Sequence, residues 1–164
     1  MSFHGKVTLK TGSLKSLQRQ VALAGKAEVR VGIFAEKTSR DEGGPLNNAE
    51  IGAVHELGSK KSNIPMRSFL RVPCLEDLPK TLGGKDGKAL VKVMIATGTE
   101  AALENLGVMA EQAVDNAFTT RGRGRWPALK PATIRAKGSD MPLFDTGKLA
   151  ASITSSVVMG GKVQ

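Results

Sequence analysis

The sequence predicts an α+β fold: a small, mostly antiparallel sheet packed against one long helix, with shorter helices and extended loops around them. Three observations carry this reading. Residues 26–34 alternate, with Ala27, Val29, Val31 and Ile33 pointing one way and Lys26, Glu28 and Arg30 the other, as in a half-buried strand. Residues 152–158, Ser-Ile-Thr-Ser-Ser-Val-Val, are rich in β-branched side chains. Between these segments, residues 88–118 hold the longest helical pattern in the chain. At 164 residues the chain has the length of one domain, and residues 1–164 read as one. Aromatics make up only 4% of it, so the core must rely on aliphatic side chains.

Residues 13–24 read as a short helix with Leu14, Leu17, Val21 and Ala24 on one face, Ser13 as N-cap and Gly25 closing it. The strand at 26–34 follows, then a polar loop over 36–46 containing Gly43-Gly44-Pro45. Residues 47–57 read as a second helix, capped by Asn47 or Asn48, ended by Gly58, and placing Ile51, Val54 and His55 on one face. A connector over 59–66 ends in Ile64-Pro65. Residues 68–83 stay ambiguous because Pro73 and Pro79 interrupt any long helix, and Gly83-Gly84 and Gly87 mark a break. Within 88–118, Thr97 and Glu100 fit a capping box and Gly98 divides the run in two. Leu103, Leu106, Ala110, Ala113, Val114, Ala117 and Phe118 form its apolar stripe. Thr-Thr-Arg-Gly-Arg-Gly-Arg-Trp-Pro then opens an extended basic loop over 119–145 that is not regular structure, apart from a short helix starting at Pro131. Asp145 is placed to cap one more helix, which carries Leu149.

The formal charge of +9 is unevenly distributed. The basic N-terminal segment has Lys6, Lys10, Lys15, Arg19 and Lys26 and no acid. Residues 57–75 carry Lys60, Lys61, Arg67 and Arg71, and residues 119–137 carry Arg121, Arg123, Arg125, Lys130, Arg135 and Lys137, again without an acid. The acids Glu100, Glu104, Glu111 and Asp115 fall along one helical stripe. Such an arrangement reads either as solvated surface or as complementary patches on neighbouring subunits.

Enzyme chemistry finds little support. His55-Glu56 begins like a zinc-protease helix, but Ser59 stands where the second histidine belongs. His4 and Cys74 are too few to complete a zinc site, and a single cysteine makes no internal disulfide. Gly83 to Lys88 departs from a phosphate loop in spacing, and Ala89 replaces the required hydroxyl. No Gly-x-Ser-x-Gly occurs. The expectation is therefore no catalytic residue, no cofactor and no metal. No apolar run approaches the roughly 18 residues of a membrane span, and no signal peptide opens the chain, so the cytoplasm of the producing cell is the expected place of assembly. The Arg121–Trp126 segment is the best nucleic-acid candidate, with guanidinium groups for phosphates and Trp126 for stacking. Its bland counterpart is an interface loop whose arginines meet carboxylates of a neighbour.

Two segments carry a more specific pattern. The first is Ala53-Val54-His55-Glu56-Leu57-Gly58 followed by Ile64-Pro65-Met66-Arg67-Ser68-Phe69-Leu70-Arg71. The second is Trp126-Pro127-Ala128-Leu129-Lys130-Pro131-Ala132-Thr133 with Lys137, then Pro142-Leu143-Phe144-Asp145-Thr146-Gly147-Lys148-Leu149, then Ser152-Ile153. Their identity and order resemble the tail-completion and neck proteins of tailed phages (HK97 gp10-like and Mu/P2-type virion morphogenesis proteins), over roughly residues 26–158. Ser68 and Leu57 depart from the pattern, standing where proline and an aromatic are common.

The resemblance implies a structural virion protein at the phage head–tail junction, not an enzyme, that joins tail to head around the DNA channel. It implies a six-fold or twelve-fold homo-oligomeric ring, assembled in the host cytoplasm. Its partners would be a connector or head-closure protein on one side and a tail terminator or tail tube protein on the other, with genomic DNA in the lumen and no membrane. Rings require heterologous contacts. The interface candidates are Arg67, Arg71, Arg121, Arg123, Arg125 and Trp126 against Glu100, Glu104, Glu111 and Asp115. Within the motif, Pro65 holds Ile64 extended, Phe69 and Leu70 anchor the segment, and Gly147 keeps its turn compact. Trp126-Pro127 is a rigid apolar wedge, serving either core packing or a subunit contact. The alternative function is a basic nucleic-acid-binding module, which predicts salt-dependent DNA binding by the monomer.

Overall fold

The computed structural model describes residues 11–37, 46–160 and 162–163. The expectations placed on His4, on Lys6 and Lys10 and on Gly43-Gly44-Pro45 lie outside these residues. The α+β architecture is as the sequence predicts. Strand β1 (Ala27–Gly32) pairs antiparallel with β2 (Thr154–Met159), in a register that sets Val29 against Val157 and Val31 against Ser155. A two-residue strand, β3 (Lys162–Val163), extends β2 on its free side.

Helix α1 runs from Thr11 to Ala24, so Ser13 falls inside the helix and not at its start. Helix α2 (Asn48–Leu57) starts at the cap the sequence offers. Asn47 accepts from the Glu50 N–H, and the Glu50 carboxylate accepts from the Asn47 N–H at 2.8 Å. Gly52 on its inner face lets α2 close on the core, since an added Cβ would stand 3.0 Å from Ile33 and 3.4 Å from Phe69.

Most of the ambiguous 68–83 segment is helical, over residues 71–82. After a π turn at Pro73–Asp77 it continues as α3 (Leu78–Leu82). The π turn reconciles the two prolines with a helix. The Leu78 N–H reaches back five residues to the Pro73 carbonyl, and Pro79 sits in the first turn of α3, where its missing N–H has no intrahelical partner to lose. Gly83-Gly84 is a break, but Gly87 lies within α4 (Lys85–Thr97), where any side chain would collide with the Leu82 carbonyl.

The long pattern divides at Gly98, whose φ of 108° favours glycine, into α4 and α5 (Thr99–Thr119). The expected Thr97–Glu100 capping box does not form. Thr97 Oγ1 turns back to the Val93 carbonyl, and the Thr99 N–H is capped from a distance by Gln20 Oε1 at 2.8 Å. Helix α5 packs across the sheet, and Gly107 sets how closely, because a Cβ there would strike Ser155. Its inner face buries Ala110, Val114, Ala117 and Phe118.

Downstream come α6 (Pro131–Lys137), with Pro131 in the first turn as expected, and the four-residue α7 (Lys148–Ala151). Asp145 is not the N-cap of α7; Gly147 occupies that position, two residues later, and carries no side chain to cap with. The core gathers Phe69, Val114, Phe118 and Leu149, ringed by Val31, Ile51, Leu70, Trp126, Leu143 and Ile153. Both motif segments thus supply the core, together with α5.

Candidate functional site

The first motif folds around one carboxylate. Gly58 (φ 74°) ends α2 where any Cβ would lie 2.8 Å from the Met66 nitrogen. The turn that follows is closed by paired hydrogen bonds between Ser59 and Ile64, with Pro65 just beyond. The chain then returns beside α2, the Arg67 N–H donating to the His55 carbonyl at 2.8 Å. This brings Glu56 under the next three amides. Its carboxylate accepts from the N–H groups of Phe69 and Leu70, both at 2.9 Å, and of Arg71 at 3.1 Å, and from the Ser68 hydroxyl at 2.5 Å. Those amides open the 71–82 helical segment, where a negative charge complements both the free N–H groups and the helix dipole. Ser68, the departure from the family pattern, also accepts from the Val72 N–H, which proline could not do.

The second motif is clamped onto the first. Arg67, only 4% exposed, donates through Nε and Nη2 to the Pro127 carbonyl at 3.0 and 2.8 Å, and through Nη2 to the Ala128 carbonyl at 3.3 Å. Trp126 donates from Nε1 to the Ser68 carbonyl at 3.3 Å and packs edge-on against Phe118. Arg67 is therefore an internal brace and not an interface residue. Trp126 packs at the edge of the core, which takes its indole away from the base-stacking role.

The Arg-Gly-Arg-Gly segment is ordered too. Arg121, Gly122, Arg123 and Gly124 all have positive φ, between 54° and 74°, giving one left-handed turn. Gly122 is obligatory there, because a side chain would collide with the Trp126 indole. The carboxylates sought on a neighbouring subunit are the chain's own. Arg125 pairs with Glu76 at 3.0 Å and Asp77 at 3.1 Å, Arg123 with Asp77 at 3.1 Å, and Arg121 with Asp140 at 2.9 Å. Of the predicted basic interface residues, only Arg71 remains mostly exposed without a close partner among the described residues, its guanidinium 4.0 Å from Glu56. The expected extended loop over 119–145 is thus a left-handed turn followed by α6.

The acidic stripe lies where the sequence places it. Glu100, Glu104 and Asp115 are exposed on α5, Glu111 is half-buried, and none of the four is ion-paired among the described residues. Beside the first motif, Leu57 and Leu75 are 71% and 70% exposed at the rim of an apolar groove of about 490 Å³ floored by Val29, Val31 and Leu106.

Residues of both motifs also enclose a cavity of about 250 Å³, with His55 and Arg67 from the first and Leu129, Thr133, Leu143, Asp145, Thr146 and Gly147 from the second. Lys137 joins them from the C-terminal end of α6, its Nζ donating to the Met141 carbonyl at 2.5 Å. Burial holds the His55 imidazole below its ordinary pKa of 6.5, and the nearby Arg67 and Lys137 charges push the same way. The folded protein thus binds this proton more weakly than the unfolded chain does. The contribution is fully present above about pH 6.5 and declines as the pH falls below it. His55→Gln, neutral throughout, is expected to flatten the acid side of the stability profile. Urea midpoints of both proteins between about pH 7.5 and 5.5 check this; parallel profiles would contradict it.

Sequence reasoning missed the roles of Glu56, Asp77 and Gln20, whose partners are distant backbone amides or charges. Thr133 and Lys137, four residues apart on α6, were the visible hint of the cavity. Among the described residues no helix is long and apolar enough to cross a membrane. Compared with family models, with curated proteins and with solved structures, the chain matches none.

Proposed function

We propose that this chain is a structural virion protein at the head–tail junction of a tailed phage. In this reading it is a tail-completion or neck component that assembles as a six-fold or twelve-fold ring, in the host cytoplasm, around the channel for the genome. One observation carries the reading. The residues that make up the resemblance serve architecture: Glu56 holds the start of a helix, Arg67 clamps Pro127, and Phe69, Leu143, Leu149 and Ile153 fill one core. A pattern spread over such residues belongs to a shape, and the shape offers two surfaces for neighbours. The exposed leucines around the apolar groove suit burial by a second protein surface. The unpaired acids of α5 suit a basic patch on the next subunit.

The basic patch is narrower than the sequence alone suggests, because Arg121, Arg123 and Arg125 already hold carboxylates of their own chain. Lys60, Lys61, Lys130 and Arg135 lie in the two basic stretches, and the first two stand at the turn after α2. Reversing Arg123 and Arg125 would disrupt the fold itself, so the acids are the better target. Glu104→Lys combined with Asp115→Lys is expected to prevent ring assembly while leaving the fold intact. Sedimentation velocity at low salt, alone and with the connector partner, checks it. Wild-type assembly by the doubly reversed protein would remove the stripe from the interface.

A further inference from the structure

The cavity enclosed by the two motifs is built from more than packing requires. Arg67 is more than nine-tenths buried, and it meets no carboxylate among the described residues. Two backbone carbonyls occupy its Nε and Nη2 groups, which leaves Nη1 without a hydrogen bond among the described residues. A buried guanidinium held only by neutral carbonyls is costly, and it favours an anion within reach. Lys137 lines the same wall and has donors left over after its bond to Met141. Thr133 and Thr146 add hydroxyls. His55 lines the cavity as well, and its buried Nδ1 has no hydrogen-bond partner among the described residues. Asp145 is the one acid of the lining, and it is exposed. The wall therefore carries donors from several elements, and its one acid, Asp145, lies close enough for its charge to act on Lys137.

Donors spread around a pocket suit a group that accepts from several directions. A tetrahedral phosphate does so with all its oxygens, whereas a planar carboxylate presents two. We propose that this cavity binds one phosphate-type dianion, either inorganic phosphate or the phosphate of a small monoester, with Arg67 Nη1 and Lys137 Nζ as charged donors and the Thr133 and Thr146 hydroxyls beside them. The group would neutralise Arg67 and tie α2, α6 and the 143–147 turn together, pinning the two motifs at the point where they meet. Such binding does not depend on where the protein acts.

Isothermal titration calorimetry of the full chain tests it, with sodium phosphate in one arm and ribose 5-phosphate in the other, each against sodium chloride at matched ionic strength. Saturable binding of one equivalent is expected in at least one arm, and the arm that binds identifies the source. Lys137→Met and Thr133→Val are expected to weaken it by about tenfold or more. Arg67→Lys is expected to abolish it; should that protein fail to fold, the other two variants carry the test, each checked for its native circular dichroism. Bound protein should also show a saturable rise in melting temperature. Absence of saturable heat in both arms overturns the proposal. So does binding that Lys137→Met and Thr133→Val leave unchanged, which would place the anion on the surface lysines.

Discussion

Glu56→Ala is expected to destabilise the protein by about 3–5 kcal/mol. The carboxylate is 14% exposed and accepts from three consecutive backbone amides and one hydroxyl. Alanine would leave those N–H groups, at the start of a helical segment, facing a site too enclosed for full hydration. Hydrogen bonds to a charged acceptor contribute roughly 1.5–3 kcal/mol each when the unmet partner stays buried, and they are not additive. Phe69, whose amide is one of the three, stands in the centre of the core, so loss of the anchor also loosens its ring against Phe118. Glu56→Gln should fall between, because one amide oxygen can accept while the NH2 group faces donors. Urea denaturation followed by the fluorescence of Trp126, the only tryptophan, measures both. A loss below about 1 kcal/mol for Glu56→Ala would show that the turn after Pro65 is held by other means.

Asp77→Ala is expected to cost about 3 kcal/mol and to release the left-handed turn at 121–124. Asp77 has a 5% exposed side chain and binds both Arg123 and Arg125. Two of the residues in that turn, Arg121 and Arg123, are not glycine, and each left-handed residue costs roughly 1–2 kcal/mol. The ion pairs to a buried carboxylate offset that cost, together with the hydrogen bond from the Trp126 N–H to the Arg121 carbonyl. Without Asp77, Arg125 keeps its bond to the Gly122 carbonyl but only the half-exposed Glu76 as a carboxylate partner, a pairing that solvent weakens. Amide hydrogen exchange over residues 121–126 should accelerate at least as much as global stability falls. Unchanged protection there would contradict the assignment of Asp77 as the anchor.

What was legible in the sequence is local. Alternation located β1 because one face of that strand is half-buried and the other carries Glu28 and Arg30. The asparagines at 47 and 48 announced the start of α2 because an N-cap acts within the first turn, and Asn47 is the one that caps. Gly98 announced the break between α4 and α5 because its conformation belongs to glycine. The failures are non-local. Thr97 and Glu100 had the right spacing for a cap, but Gln20, almost eighty residues away, caps the helix at the Thr99 amide instead. Arg67 looked like a surface cation because nothing near it in the chain is acidic; its partners are the Pro127 and Ala128 carbonyls, which leave no mark in the side-chain pattern. The same reason hid the pairing of Arg123 and Arg125 with Asp77. The candidate cavity was legible only as the co-occurrence of two motifs, and its lining became visible once Arg67 had joined them.

The central proposal, a protein of the head–tail junction, is tested most directly by electron microscopy of phage particles assembled with and without this chain. The account predicts that without it heads and tails of normal length accumulate unjoined, and that adding the purified protein joins them. Joined, infectious particles formed in its absence would contradict the account.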